Sequence, residues 1–105
     1  MSGPPPRWKV TEVADLRGDR LIIVHGELDI ATAPRLAALL TRLRERRHPV
    51  VLDLSEVGFM DSSGLRVLVE ASERSRRDGW SFRIRRASAR VARIAKLAGA
   101  EELLD

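Results

Sequence analysis

The chain has 105 residues, 44% of them hydrophobic, with 19 basic and 15 acidic side chains giving a net charge of +4, and it contains no cysteine. That length fits one domain burying roughly two-thirds of the surface its unfolded chain exposes. Without thiols, disulfides, thiol catalysis and most structural zinc sites are excluded, and no run approaches the roughly 18 apolar residues of a membrane span.

The Pro-rich start, Met1 to Arg7, holds no apolar segment that would direct export, so a cytoplasmic address is expected. Residues 1–7 read as a flexible, polyproline-like tail ahead of a single domain over residues 8–105. Loose alternation from Lys9 to Leu16 predicts a first strand, ending at the Gly18-Asp19 turn. Leu21-Ile22-Ile23-Val24 is a continuous apolar run, the mark of a strand covered on both faces, and a loop from Gly26 to Ala31 follows. Thr32 has the position of an N-cap, with Pro34 in the first turn of a helix. Leu36, Leu39, Leu40 and Leu43 give that helix one leucine stripe, and it must end before Pro49.

Val50 to Leu54 predicts a buried strand, Gly58 to Gly64 a second loop, and Leu65, Leu68, Val69 and Ser72 a helix that stops at Asp78-Gly79. A further strand is expected over Trp80–Arg85. Ser88 then caps a helix with Val91, Ile94, Ala95 and Ala98 on its apolar face; Gly99 ends it, and Glu101 to Leu104 add a short turn. Strands alternating with helices imply an α/β fold: a mixed, mostly parallel sheet of four to five strands with about four helices packed on it.

In such a sheet, partners meet the loops at the carboxyl ends of the strands. The two loops after the central strands, Gly26–Ala31 and Gly58–Gly64, should lie side by side. The second carries Asp61-Ser62-Ser63-Gly64-Leu65, two hydroxyls where a strand feeds a helix N-terminus and where an anion is favoured. Asp61 reads as a capping carboxylate, Ser62 as a phosphoacceptor or cap, Ser63 as an acceptor or a first-turn residue, Gly64 as a point where a partner backbone approaches closely or as relief of crowding, and Leu65 as core. Asp29 either braces its loop or faces a partner, and Thr32 is chiefly a cap. Phe59 and Met60 fix the turn from the core, one of them open to a partner.

The sequence argues against catalysis. The Gly-x-Ser-x-Gly elbow is absent around both serines, the two histidines, His25 and His48, make no metal site, and there is no phosphate-binding Gly-rich loop. The arginine-dense runs Arg42–Arg47 and Arg83–Arg86 lack the aromatic platforms of single-strand nucleic-acid binding. They point instead to a partner surface of opposite charge.

Gly26-Glu27-Leu28-Asp29 with Thr32-Ala33, followed at this separation by Phe59-Met60-Asp61-Ser62-Ser63-Gly64-Leu65, resembles STAS domains. Within them the chain is most similar to free-standing bacterial anti-sigma factor antagonists. The likeness runs from Trp8 through the closing helix, though the arginine bias departs from the neutral or acidic character common in that family. The resemblance implies a regulatory binding protein, with neither catalytic residues, cofactor nor metal. Its unphosphorylated form binds an anti-sigma factor that is also an ATP-dependent serine kinase and so releases a sigma factor. The kinase then phosphorylates Ser62, with Ser63 the second choice, and a PP2C-type phosphatase resets the switch. Asp29, Thr32, Asp61, Ser62, Ser63, Gly64 and Leu65 are the implied partner-binding residues, on a monomer or weak dimer that contacts neither nucleic acid nor membrane. The alternative within the same family is an accessory subunit of a lipid-transport ATPase complex, or a component of a stress-signalling scaffold.

Overall fold

The computed structural model describes residues 7–104. The expected tail therefore lies outside the described residues except for Arg7. Four strands and three α-helices follow one another in the order β1 (Trp8–Ala14), β2 (Arg20–Leu28), α1 (Ala33–Glu45), β3 (Val50–Met60), α2 (Ser62–Asp78), β4 (Phe82–Ala87) and α3 (Ala89–Leu97). Glu101–Leu103 add one 3-10 turn. The sheet order is β1-β2-β3-β4. β1 and β2 form an antiparallel hairpin, whereas β2–β3 and β3–β4 are parallel. The C-terminus adds a single parallel bridge, Leu104 to Ile84, on the outer edge of β4.

Strand parity explains the core. Ile22 and Val24 of β2, Val50, Leu52 and Leu54 of β3 and Ile84 of β4 are all buried on one face and alternate with more exposed neighbours, except that Asp53, between Leu52 and Leu54, is buried on the other face. Against them pack Leu36, Leu40 and Leu43 from α1, Leu65, Leu68 and Ala71 from α2, and Val91 from α3 in one continuous cluster. The leucine stripe read from the sequence of α1 is thus the stripe that meets the core.

Several expectations needed correction. β2 and β3 run on to Leu28 and Met60, so Gly26, Glu27, Leu28, Gly58, Phe59 and Met60 are strand residues rather than loop. In β3 the register against β2 shifts between Asp53 and Glu56 and again between Val57 and Phe59, one extra residue each time, and this interrupts the alternation there. Trp80 precedes β4 instead of opening it. Its indole is 3% exposed, donates from Nε1 to the His48 carbonyl at 2.7 Å and stacks on Phe82 at 5.2 Å, so it is a core plug. Ala98 is exposed and lies past the end of α3. The two arginine-dense runs are partly consumed inside the fold: Arg44 and Arg47 both bridge to Asp78 at the end of α2, and Arg85 bridges to Asp53.

Candidate functional site

The C-terminal ends of β2 and β3 lie side by side, paired through Glu27–Phe59 and Leu28–Met60. Asp61 then donates its amide to the Leu28 carbonyl at 3.2 Å. The two loops expected to be neighbours are therefore joined by backbone hydrogen bonds. α1 leaves from the first and α2 from the second, so both helix N-termini open on the same end of the sheet.

Asp61 is the N-cap of α2. Its backbone is extended, and its carboxylate accepts from the Ser63 amide at 2.8 Å and the Gly64 amide at 3.3 Å. Gly64 is buried, and a Cβ on it would lie 2.6 Å from the Leu28 carbonyl oxygen and 2.8 Å from both the Leu28 and Met60 Cγ atoms. The glycine thus serves close packing of α2 on the sheet, within the fold itself. Leu65 is 9% exposed and belongs to the core. What the turn shows to solvent is Ser62, exposed, and Ser63, half-buried. Among the described residues the Ser62 hydroxyl makes no side-chain hydrogen bond, because capping is done by the aspartate before it.

The neighbouring loop is held by Asp29 and Thr32. Thr32 is buried, and its hydroxyl does not cap α1 as its position in the sequence suggests. It accepts from the Asp29 amide at 2.9 Å and donates to the Glu27 carbonyl at 2.8 Å. One Asp29 carboxylate oxygen accepts from the Ala31 and Thr32 amides at 2.9 and 3.1 Å, while the other pairs with the Arg7 guanidinium. Burial opposes the Asp29 charge, but the Thr32 and Ala31 amides, the Thr32 hydroxyl and the Arg7 charge outweigh it and hold the carboxyl below its usual range. Arg7 also reaches Glu27 at 3.3 Å, and its carbonyl accepts from the Glu27 amide at 2.7 Å. Sequence reasoning puts Arg7 in the tail and assigns it no role.

Two features beside the serines also escape sequence reasoning. A groove between the starts of α1 and α2 is lined by Ile30, Pro34, Ser62, Ser63, Arg66 and Val67. Ile30 is 77% exposed there. The signal for Arg66 is its spacing, four residues after Ser62 on one helix. On the other side of the turn, Phe59 (44% exposed) and Leu97 share a groove with Arg90 and Arg93. Met60 is buried, so Phe59 is the member of that pair open to a partner. Exposed apolar side chains thus flank Ser62 with arginines interspersed. This composition suits a partner carrying apolar groups and negative charge. His25 is not part of the site: its Nε2 lies 3.2 Å from the Thr11 hydroxyl, across the β1–β2 hairpin.

A hydroxyl turn set over the central strands of a small mixed sheet, with helices rising from both neighbouring loops, is the arrangement of one domain class. The chain belongs to the STAS domain family, whose model matches residues 11–105. It is 29% identical to the anti-sigma-B factor antagonist of Bacillus subtilis over 94 residues, spanning 90% of this chain and 86% of that one. The anti-sigma-B factor antagonist of Staphylococcus epidermidis is 33% identical over 82 residues, covering 77% and 76% of the two chains. Among solved structures, an anti-sigma factor antagonist from Mycobacterium paratuberculosis superposes with a TM-score of 0.75 at 28% identity, covering 91% of this chain and 83% of that one. No helix among the described residues is long and apolar enough to cross a membrane.

Proposed function

We propose that this chain is an anti-sigma factor antagonist acting in the cytoplasm as a binding protein and kinase substrate rather than as an enzyme. Its unmodified form docks on an anti-sigma factor through the end of the sheet where Ser62 lies, and the sigma factor is released. The anti-sigma factor, itself a serine kinase, transfers the γ-phosphoryl group of ATP to the Ser62 oxygen. ADP leaves, the hydroxyl proton passes to the kinase, and the complex dissociates. A PP2C-type phosphatase hydrolyses the ester and restores the hydroxyl.

The observation that carries this reading is the division of labour between Asp61 and Ser62. The aspartate caps the helix, and the serine beside it is exposed with its hydroxyl uncommitted. A phosphoserine adds about −1.5 to −2 charges. Placed next to the Asp61 carboxylate, it turns a mixed surface strongly negative. Like charges brought together at an interface cost several kcal/mol, and each ~1.4 kcal/mol is tenfold in affinity. Release therefore needs no unfolding.

The test is phosphosite mapping after incubation with ATP and candidate kinase-type anti-sigma factors, with Ser62→Ala in parallel. Phosphate on Ser62, absent from the variant and accompanied by loss of kinase binding, is the expected result. Protein that stays unmodified and binds none of the candidates would overturn the reading and favour an accessory role in a transport complex.

A further inference from the structure

A phosphate on Ser62 meets a helix start that is already occupied. The Ser63 and Gly64 amides, which would otherwise face an anion, donate to the Asp61 carboxylate. Their occupant is itself negative. Charge on a modified Ser62 must be met from elsewhere, and the basic side chain in the groove that Ser62 lines is Arg66.

Arg66 stands four residues after Ser62 on α2, hence on the same face. Helix side chains lean toward the N-terminus, which carries the guanidinium back over the Ser62 turn. An acid four residues ahead of a base is the favourable order for such a pair. Arg44, Arg47 and Arg85 are engaged by Asp78 and Asp53. Arg66, by contrast, is exposed and makes no salt bridge among the described residues. The α1 side of the groove contributes only the uncharged Ile30, Ala33 and Pro34. Of the charged groups at this cap and groove, Asp61 repels the phosphate and Arg66 attracts it, while Asp29 and Arg7 on the adjoining loop are paired with each other.

We infer that Arg66 is the phosphate-holding residue of this domain: when Ser62 is phosphorylated, its guanidinium turns onto the ester and takes two phosphate oxygens. The planar fork of arginine fits that geometry, which the point charge of lysine does not. The inference rests on the reading of Ser62 as the modified residue and specifies how the modified state is held. It also gives the switch a second arm. Phosphorylation adds a dianion and at the same time withdraws an arginine from the surface offered to the partner.

Phosphoserine installed at position 62 during translation, by a reassigned stop codon, makes the test independent of any kinase. The second ionisation of the phosphate, near pH 6 in an unperturbed phosphoserine, is followed by phosphorus NMR in the parent chain, Arg66→Gln and Arg66→Lys. The pKa is expected to be higher in Arg66→Gln than in the parent by roughly 0.15 to 0.35 unit, with Arg66→Lys between them. The gap should shrink in about 1 M salt, where screening acts over only ~3 Å. Coincident titrations, or a lower value in Arg66→Gln, would overturn the inference. Failure of every kinase to modify Ser62 would instead remove the functional reading and leave this titration interpretable.

Discussion

The Leu28 carbonyl oxygen lies 2.6 Å from the position a Cβ on Gly64 would take. The same backbone oxygen accepts the Asp61 amide, so it cannot retreat without breaking the link between β2 and α2. Alanine normally gains up to about 1 kcal/mol over glycine inside a helix. Here the overpacking cost of about 1–3 kcal/mol opposes and exceeds it. Gly64→Ala is expected to lower stability by about 1–2 kcal/mol in urea denaturation. Gly58, whose Cβ would meet nothing within 4 Å, is the internal control, and Gly58→Ala should be neutral or slightly stabilising.

Asp61→Ala removes the side chain that satisfies the Ser63 and Gly64 amides. The expected loss is about 1 kcal/mol, read as a fall of roughly 4–8 °C in the midpoint of thermal unfolding. Asp61→Asn keeps the acceptor and should retain most of that stability. An Asp61→Ala chain as stable as the parent would show that the cap is unimportant to the fold.

Ser62→Ala should leave stability within about 0.5 kcal/mol of the parent, since the hydroxyl holds no partner among the described residues. Under the proposed switch, binding to the anti-sigma factor should persist, locked on because the acceptor is gone. Ser62→Glu is expected to weaken that binding at least tenfold, about 1.4 kcal/mol, measured by titration calorimetry. Equal affinities for the alanine and glutamate variants would refute charge as the basis of release.

The pH dependence follows from Asp53 and Asp78, with Asp29, also held low, acting in the same direction. Burial opposes ionisation of Asp53, but the Ser55 hydroxyl and amide and the Arg85 guanidinium outweigh it, so its carboxyl titrates below the ordinary 3.8. Asp78 is lowered by the Trp80 amide and, against some burial, by Arg44 and Arg47. A carboxylate whose folded pKa is depressed contributes stability that is fully present above the unfolded value and lost as pH falls through the folded one. These two groups therefore leave stability level across neutral pH and erode it below about pH 4. Asp53→Asn should be less stable at pH 7, with a shallower decline between about pH 4 and 2. An unchanged acid limb, followed by circular dichroism in urea, would show that Asp53 carries none of it.

Much of the site is legible in the sequence alone. A strand, a turn and a helix start are written in Val50 to Leu68, and parallel topology alone sets the two loops together. Asp61 can be assigned because capping has a residue-specific signature, whereas Gly64, read first as open to a partner's backbone, is packed against Leu28 within the fold. The end of β3 is not legible, since each bulge adds a residue to it and reverses the parity on which strand reading depends. Thr32 misleads because an N-cap position does not ensure a capping side chain: its hydroxyl finds a better partner in the Glu27 carbonyl. Arg7 is unreadable in principle, as no local pattern reports a contact across 22 residues. Arg66 is readable by spacing, but only once the first residue of α2 is known.

Capping by the neighbouring aspartate has a consequence for the lifetime of the protein in the cell. Proteases act on opened chains, so their rate follows the folding equilibrium when opening and closing are fast. Folding draws on Asp61, Gly64 and Leu65 and barely on Ser62, and a helix-surface pair such as phosphoserine with Arg66 adds only a few tenths of a kcal/mol. The two forms should therefore be degraded at nearly the same rate. Selective turnover would then not bias the balance between them, and under the proposed switch its state would record the opposing activities of kinase and phosphatase alone.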